Sequence, residues 1–133
     1  MDYEEFGLRL RKVPAPLGGG LEVTQRCNLR CVHCYCRKEA GDQRARAAEL
    51  SLETISRIVD QAAELGLLSL LLTGGEPLLR RDFLDIYDYI KSKGILPILF
   101  TNGSLITPQV ADHLAEYPPL YVEVSVYGRT REA

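Results

Sequence analysis

The sequence has no long apolar run and no large excess of either charge, and each absence excludes a class of function. Its longest apolar run lies near residues 67–72, well short of the roughly eighteen residues that cross a bilayer. The net charge is -2, whereas a nucleic-acid surface normally needs a basic excess. Residues 1–6 are acidic with no apolar core behind them, so they are not a secretory signal. We therefore predict a cytoplasmic protein with no membrane span and no nucleic-acid partner.

Cysteine is absent from most of the chain. The four cysteines, Cys27, Cys31, Cys34 and Cys36, all lie within one short segment. Disulfide frameworks spread their cysteines over distant segments and belong to oxidising compartments. A tight group in a cytoplasmic chain instead indicates metal binding.

Apolar segments of strand and helix character alternate along the chain. The spacing predicts strands at residues 21–24, 67–72, 95–100 and 120–127. Ser51, Asp82 and Thr107 are the predicted N-caps of three intervening helices. Alternating strands and helices need right-handed crossovers and a parallel sheet. We predict an α/β fold with about four parallel strands, a mobile loop at residues 37–49, and a bulge or a shortened third strand at Pro97.

Four polar motifs follow the four predicted strands. They are the cysteine segment, Gly74-Gly75-Glu76-Pro77, Thr101-Asn102-Gly103, and Ser125. Taken singly, the glycine-containing motifs are ordinary turns. Because ligand sites collect at the carboxyl ends of parallel strands, their common position predicts one site.

The cysteine spacing C-x3-C-x2-C points to an iron–sulfur cluster. Cys27, Cys31 and Cys34 can hold three irons of a [4Fe–4S] cube and leave the fourth iron without a protein ligand. The alternative is zinc, with Cys36 or His33 as a fourth ligand. Structural zinc sites usually combine two separated ligand pairs, and the sequence has no second pair. The cluster is therefore favoured.

Together these motifs resemble the radical S-adenosylmethionine (radical SAM) superfamily over about residues 20–130. The resemblance implies a partial (β/α)6 barrel, with residues 1–19 as a lead-in and residues 20–133 as a core that ends after the fourth strand. On this basis we expect the chain to be incomplete. Residues 27–31 and 125–128 are similar to the SPASM-type branch, which modifies peptides and proteins.

The resemblance also implies a role for each site residue. Cys27, Cys31 and Cys34 would ligate the [4Fe–4S] cluster, and S-adenosylmethionine would chelate the open iron. His33 would contact the adenine. The methionine ammonium would meet Gly74, Gly75 and Glu76. Hydrogen bonds to the carboxylate or ribose would come from Thr101, Asn102 and Ser125. No residue receives a catalytic role.

The implied reaction begins with an electron from a reduced flavodoxin or ferredoxin. Cleavage of S-adenosylmethionine then yields methionine and a 5′-deoxyadenosyl radical, which abstracts hydrogen from a substrate. The SPASM-type similarity favours a peptide or protein substrate. The alternatives are a haem-precursor or molybdopterin-type small-molecule enzyme, and a non-catalytic module that binds a cluster or zinc.

Overall fold

The computed structural model describes residues 15–35 and 38–127. Its strands are β1 (Gly18–Thr24), β2 (Arg26–Cys27), β3 (Lys38–Glu39), β4 (Ser69–Gly74), β5 (Leu96–Thr101) and β6 (Tyr121–Val124). Its helices are α1 (Gln43–Ala47), α2 (Leu52–Glu64), α3 (Phe83–Ser92) and α4 (Pro108–Glu116), with a short 3-10 turn at Pro77–Leu79.

Four of the strands form one parallel sheet in the order β1-β4-β5-β6. Strands β2 and β3 form a separate two-stranded parallel pair. The α2 and α3 helices connect strands that lie side by side in the larger sheet. The predicted α/β fold with four parallel strands is therefore confirmed.

The core lies between the central strands and the helices. Leu72 and Leu99 of β4 and β5 are fully buried, together with Val59 of α2 and Ile86 and Ile90 of α3. Both helices carry one apolar face at a spacing of three to four residues, which is the pattern that lets a helix pack on a sheet. This packing holds the carboxyl ends of β4 and β5 in fixed positions.

The three predicted N-cap positions are confirmed, and two of these residues cap their helices through the side chain. Ser51 Oγ accepts from the backbone N–H of Thr54 at 3.1 Å, and Thr107 Oγ1 accepts from that of Val110 at 3.3 Å. Asp82 is the N-cap residue of α3, as predicted, but its side chain makes no capping hydrogen bond. Its carboxylate is instead paired with the Arg80 guanidinium at 2.6 Å.

The prediction of a mobile loop at residues 37–49 is also wrong. Described residues of this segment form β3 and α1, and Asp42 caps α1 by accepting from the backbone N–H of Ala45 at 2.9 Å. The backbone N–H of Lys38 donates to the Gln25 carbonyl at 2.9 Å. Elements of two and five residues are too short to give a readable apolar period.

Pro97 causes neither a bulge in β5 nor a shortening of this strand. It is buried within β5 and pairs in register with Leu70 of β4, while its carbonyl accepts from the backbone N–H of Leu120 at 2.7 Å. The β6 strand ends at Val124, earlier than predicted, and all four of its residues are exposed.

Some predictions fall outside the described residues, namely those on residues 1–14, on Cys36 and on residues 128–133. The predicted boundary between a lead-in and a core domain stays a prediction. None of the helices in the described ranges is long and apolar enough to cross a membrane.

Candidate cofactor site

A cavity of about 380 Å³ lies at the carboxyl ends of β4, β5 and β6. Nine of the ten predicted site residues line it: Cys27, Cys31, His33, Cys34, Gly74, Gly75, Thr101, Asn102 and Ser125. The exception is Glu76, which is fully buried behind the cavity wall. The motifs that were grouped from their positions in the sequence therefore meet in space.

We call residues 27–35 the cysteine loop. It begins at β2, which pairs with β3. The Arg30 guanidinium donates to Glu39 at 2.9 Å and ties the loop to β3. Within the loop, the backbone N–H of Cys34 donates to the Cys31 carbonyl at 3.2 Å, and that of Leu29 donates to Cys27 Sγ at 3.4 Å. The loop thus makes two hydrogen bonds of its own and one side-chain contact to β3.

The number of thiols at the cavity suits a four-iron cluster with one open iron. Cys27, Cys31 and Cys34 are free thiols that share one cavity. In a four-iron cube each thiolate binds a different iron, and three thiolates leave the fourth iron open. Cys36, a fourth ligand in the zinc alternative, lies outside the described residues.

Gly74 and Gly75 permit a close approach between backbone segments. A Cβ atom on Gly74 would lie 2.0 Å from the Thr24 carbonyl oxygen, and one on Gly75 would lie 2.2 Å from that of Arg26. The backbone N–H of Gly75 donates to the Thr24 carbonyl at 2.7 Å. Because Arg26 directly precedes Cys27, the absence of side chains brings the end of β4 against the start of the cysteine loop.

Glu76 connects this glycine turn to the turn after β5. Its carboxylate accepts from the Thr101 hydroxyl at 2.7 Å and from the backbone N–H of Asn102 at 2.8 Å. It also accepts from the backbone N–H of Leu78 at 3.1 Å. These partners satisfy a carboxylate that has no solvent exposure.

Residues around the end of β6 form the opposite wall. The backbone N–H of Ser125 donates to the Thr101 carbonyl at 3.0 Å, which continues the pairing just past β6. The His33 ring meets Tyr127 edge to face, with centroids 4.3 Å apart. Tyr127 and Glu123 also line the cavity, although no site role was predicted for them. Each of them lies two positions from Ser125. Because alternate residues of a strand share a face, this spacing predicts that they lie on the same side as Ser125.

A second cavity, of about 460 Å³, contains Arg26 and Arg80. Arg26 pairs with Glu49 at 2.6 Å, and the Arg80 guanidinium donates to the Val23 and Leu50 carbonyls as well as to Asp82. Burial acts to raise the pKa of Glu49, but hydrogen bonds from Arg26 and Thr24 hold it below its usual value. The Arg80 hydrogen bond lowers the pKa of Asp82. Both arginines are used in contacts between chain segments. The first cavity is therefore the candidate site for a cofactor.

The model of the Radical SAM superfamily matches residues 21–132. The chain is 40% identical over 106 residues to the Fe-coproporphyrin III synthase of Methanosarcina barkeri, an alignment that covers 80% of this chain and 26% of the relative. It is 34% identical over 122 residues to the mycofactocin maturase MftC of Mycobacterium tuberculosis. This alignment covers 92% of this chain and 30% of the relative.

Solved structures show the same fold. The S-adenosylmethionine-bound structure of Streptococcus suis SuiB superposes with a TM-score of 0.65 at 23% identity, covering 90% of this chain and 26% of SuiB. The chain therefore spans between a quarter and a third of the length of these similar proteins.

Proposed function

Because the chain belongs to the radical SAM superfamily, whose members use a [4Fe–4S] cluster and S-adenosylmethionine, we propose that it binds both groups and generates a 5′-deoxyadenosyl radical. The observation that carries this proposal is the convergence of three free thiols and the glycine turn on one cavity. When bound, the two groups supply a one-electron cleavage of the sulfonium C–S bond.

The cysteines would hold the cluster from one side of the cavity. Cys27 and Cys31 are half-buried, whereas Cys34 and the neighbouring Val32 are exposed. The exposed side of the loop suits close approach of an electron donor, for which we propose reduced flavodoxin or ferredoxin. The half-buried side faces the glycine turn, where S-adenosylmethionine would lie.

The residues around S-adenosylmethionine would act in two groups. His33, Ser125 and the backbone of the two glycines border the cavity and would contact the adenine, the carboxylate or ribose, and the ammonium. Glu76 and Thr101 are already bonded to each other. We propose that this pair acts by holding the two turns in place, so that little reorganisation is needed when the cofactor binds.

A cleavage assay on the whole chain tests this proposal. After anaerobic reconstitution with iron and sulfide, dithionite and S-adenosylmethionine should give equal amounts of methionine and 5′-deoxyadenosine, measured by mass spectrometry. Cys34→Ala should abolish both products because one iron loses its ligand. Ser56→Ala, at a half-buried position of α2 that does not line the cavity, is the control and should retain them.

The outcome that contradicts the proposal is stoichiometric zinc with no cleavage products in the unaltered chain. That result would favour the non-catalytic module instead. Products that persist in Cys34→Ala at the unaltered level would overturn the ligand assignment.

For the substrate we propose a peptide or protein. The support is the 34% identity to a mycofactocin maturase over 92% of this chain, together with the motif similarity described above. A second candidate is an iron porphyrin precursor, which the 40% identity to an Fe-coproporphyrin III synthase favours. Fe-coproporphyrin III is the product of that relative, so the discriminating experiment adds its iron tetrapyrrole precursors to the cleavage assay. Only the second candidate predicts that these precursors increase the yield of 5′-deoxyadenosine.

A further inference from the structure

Three side chains form a closed hydrogen-bonded ring between the cysteine loop and the turn after β5. We call Asn28, Asn102 and Ser104 the amide ring. The Asn102 amide donates to Asn28 Oδ1 at 3.0 Å, the Asn28 amide donates to Ser104 Oγ at 2.8 Å, and Ser104 Oγ donates to Asn102 Oδ1 at 2.6 Å. The ring joins residues more than seventy positions apart in the sequence.

The orientation of the Asn102 amide follows from its partners. The backbone N–H of Ser104 can only donate, and it lies 2.9 Å from Asn102 Oδ1. The oxygen of the Asn102 amide must therefore face Ser104, and its NH2 group must face the cysteine loop. One hydrogen of that group is used by Asn28, and the other is directed at Cys27 Sγ, 3.8 Å away.

The backbone of Asn102 is held independently of the ring. Its N–H donates to the buried Glu76 carboxylate at 2.8 Å. Loss of the Asn102 side chain would therefore remove the contact to the cysteine loop and leave the turn attached to the glycine motif. This separation makes the side chain testable by substitution.

We propose that Asn102 is a positioning residue that donates an amide hydrogen bond to the Cys27 ligand sulfur and raises the reduction potential of the cluster. The inference rests on the proposed function, because it needs a cluster on Cys27. A hydrogen bond to a ligand sulfur stabilises the additional negative charge of the reduced cluster, so its removal favours the oxidised form. Asn28 and the backbone N–H of Ser104 hold the Asn102 amide in the donating orientation.

A redox titration of the reconstituted chain, followed by electron paramagnetic resonance, tests the bond to sulfur. Asn102→Ala should shift the midpoint potential to a more negative value. Asn102→Asp keeps the size of the side chain, replaces the donor with a carboxylate, and should shift the potential in the same direction. It serves as the second variant if the alanine chain folds poorly.

Two controls separate this effect from loosening of the loop. Ser104→Ala opens the ring but keeps both hydrogens of the Asn102 amide, so its potential should stay close to that of the unaltered chain. Gln109→Ala removes an exposed amide on α4 and should change nothing. Equal potentials in Asn102→Ala, Asn102→Asp and the unaltered chain would overturn the proposal.

A second measurement needs no cluster. Hydrogen exchange in the cluster-free chain should be about fivefold faster in residues 27–31 of Asn102→Ala, the factor expected from loss of about one net hydrogen bond. If the unaltered chain assembles no cluster, the proposed function fails, and hydrogen exchange then decides the positioning role of Asn102. Unchanged exchange in that case would overturn the positioning role as well.

Discussion

Gly75 shows how one missing side chain allows the site to form. A Cβ atom at this position would lie 2.2 Å from the Arg26 carbonyl oxygen and 2.8 Å from that of Gln25. Real Cβ atoms do not approach backbone oxygen so closely, so a larger residue must displace one of two connected segments. One segment carries the glycine turn and the other carries Cys27.

Gly75→Ala is therefore expected to destabilise the fold by about 3 kcal/mol, since the clash is with backbone and cannot be relieved by a side-chain rotation. Urea unfolding followed by circular dichroism measures the loss. Gly20→Ala is the matched control, because a Cβ atom on Gly20 meets nothing within 4 Å. Equal stability of the two variants would show that β4 and the cysteine loop can separate without cost.

The segment of β3 and α1 illustrates how short elements are held by side chains. Glu49 follows α1 and accepts from Arg26 at 2.6 and 3.2 Å, and also from the Thr24 hydroxyl. Arg26 in turn donates to the Ala40 carbonyl at 3.0 Å. The two ends of the segment are thereby attached to the residues that lead into the cysteine loop.

The Glu49 contacts predict a pH dependence of stability. The pKa of Glu49 is below its usual value in the folded chain, so its contribution is present above that usual value and is lost as pH falls through the lowered pKa. The free energy of unfolding should decrease between pH 6 and pH 3. In Glu49→Gln, stability at pH 6 should be about 2 kcal/mol lower and this decrease smaller.

Asp60→Asn provides the comparison on the surface. The pKa of Asp60 is lowered by its hydrogen bond from Lys93, but the pair is exposed to solvent. Exposed ion pairs contribute little, so this variant should keep nearly the full pH dependence. If Glu49→Gln behaved in the same way as Asp60→Asn, the attachment of the segment through Arg26 would be contradicted.

Long elements could be predicted from sequence, whereas short ones could not. The apolar runs that became β4 and β5 are clear because both faces of these strands carry apolar residues, although only alternate residues are buried. The β3–α1 segment has no such run, and its structure depends on Glu49 and Asp42. Asp82 occupies the predicted N-cap position, but Arg80, two residues earlier, binds the carboxylate that would otherwise cap the helix.

At the scale of the whole molecule, the parallel sheet collects the site. The ends of β4 and β5 are adjacent because these strands pair in register, and Ser125 joins them just after β6. This grouping could be predicted, since it follows from strand order alone. The bond from Thr101 to Glu76 and the bonds of Asn28 within the amide ring could not, because they join side chains that are 25 or more positions apart. Periodicity contains no information on such pairs.

The electron paramagnetic resonance spectrum of the reconstituted, dithionite-reduced chain, recorded with and without S-adenosylmethionine, tests the central claim most directly. We predict about four iron per chain and a reduced-cluster signal whose shape changes when S-adenosylmethionine binds the open iron. A signal that S-adenosylmethionine leaves unchanged, or a chain that holds stoichiometric zinc and no cluster, would contradict it.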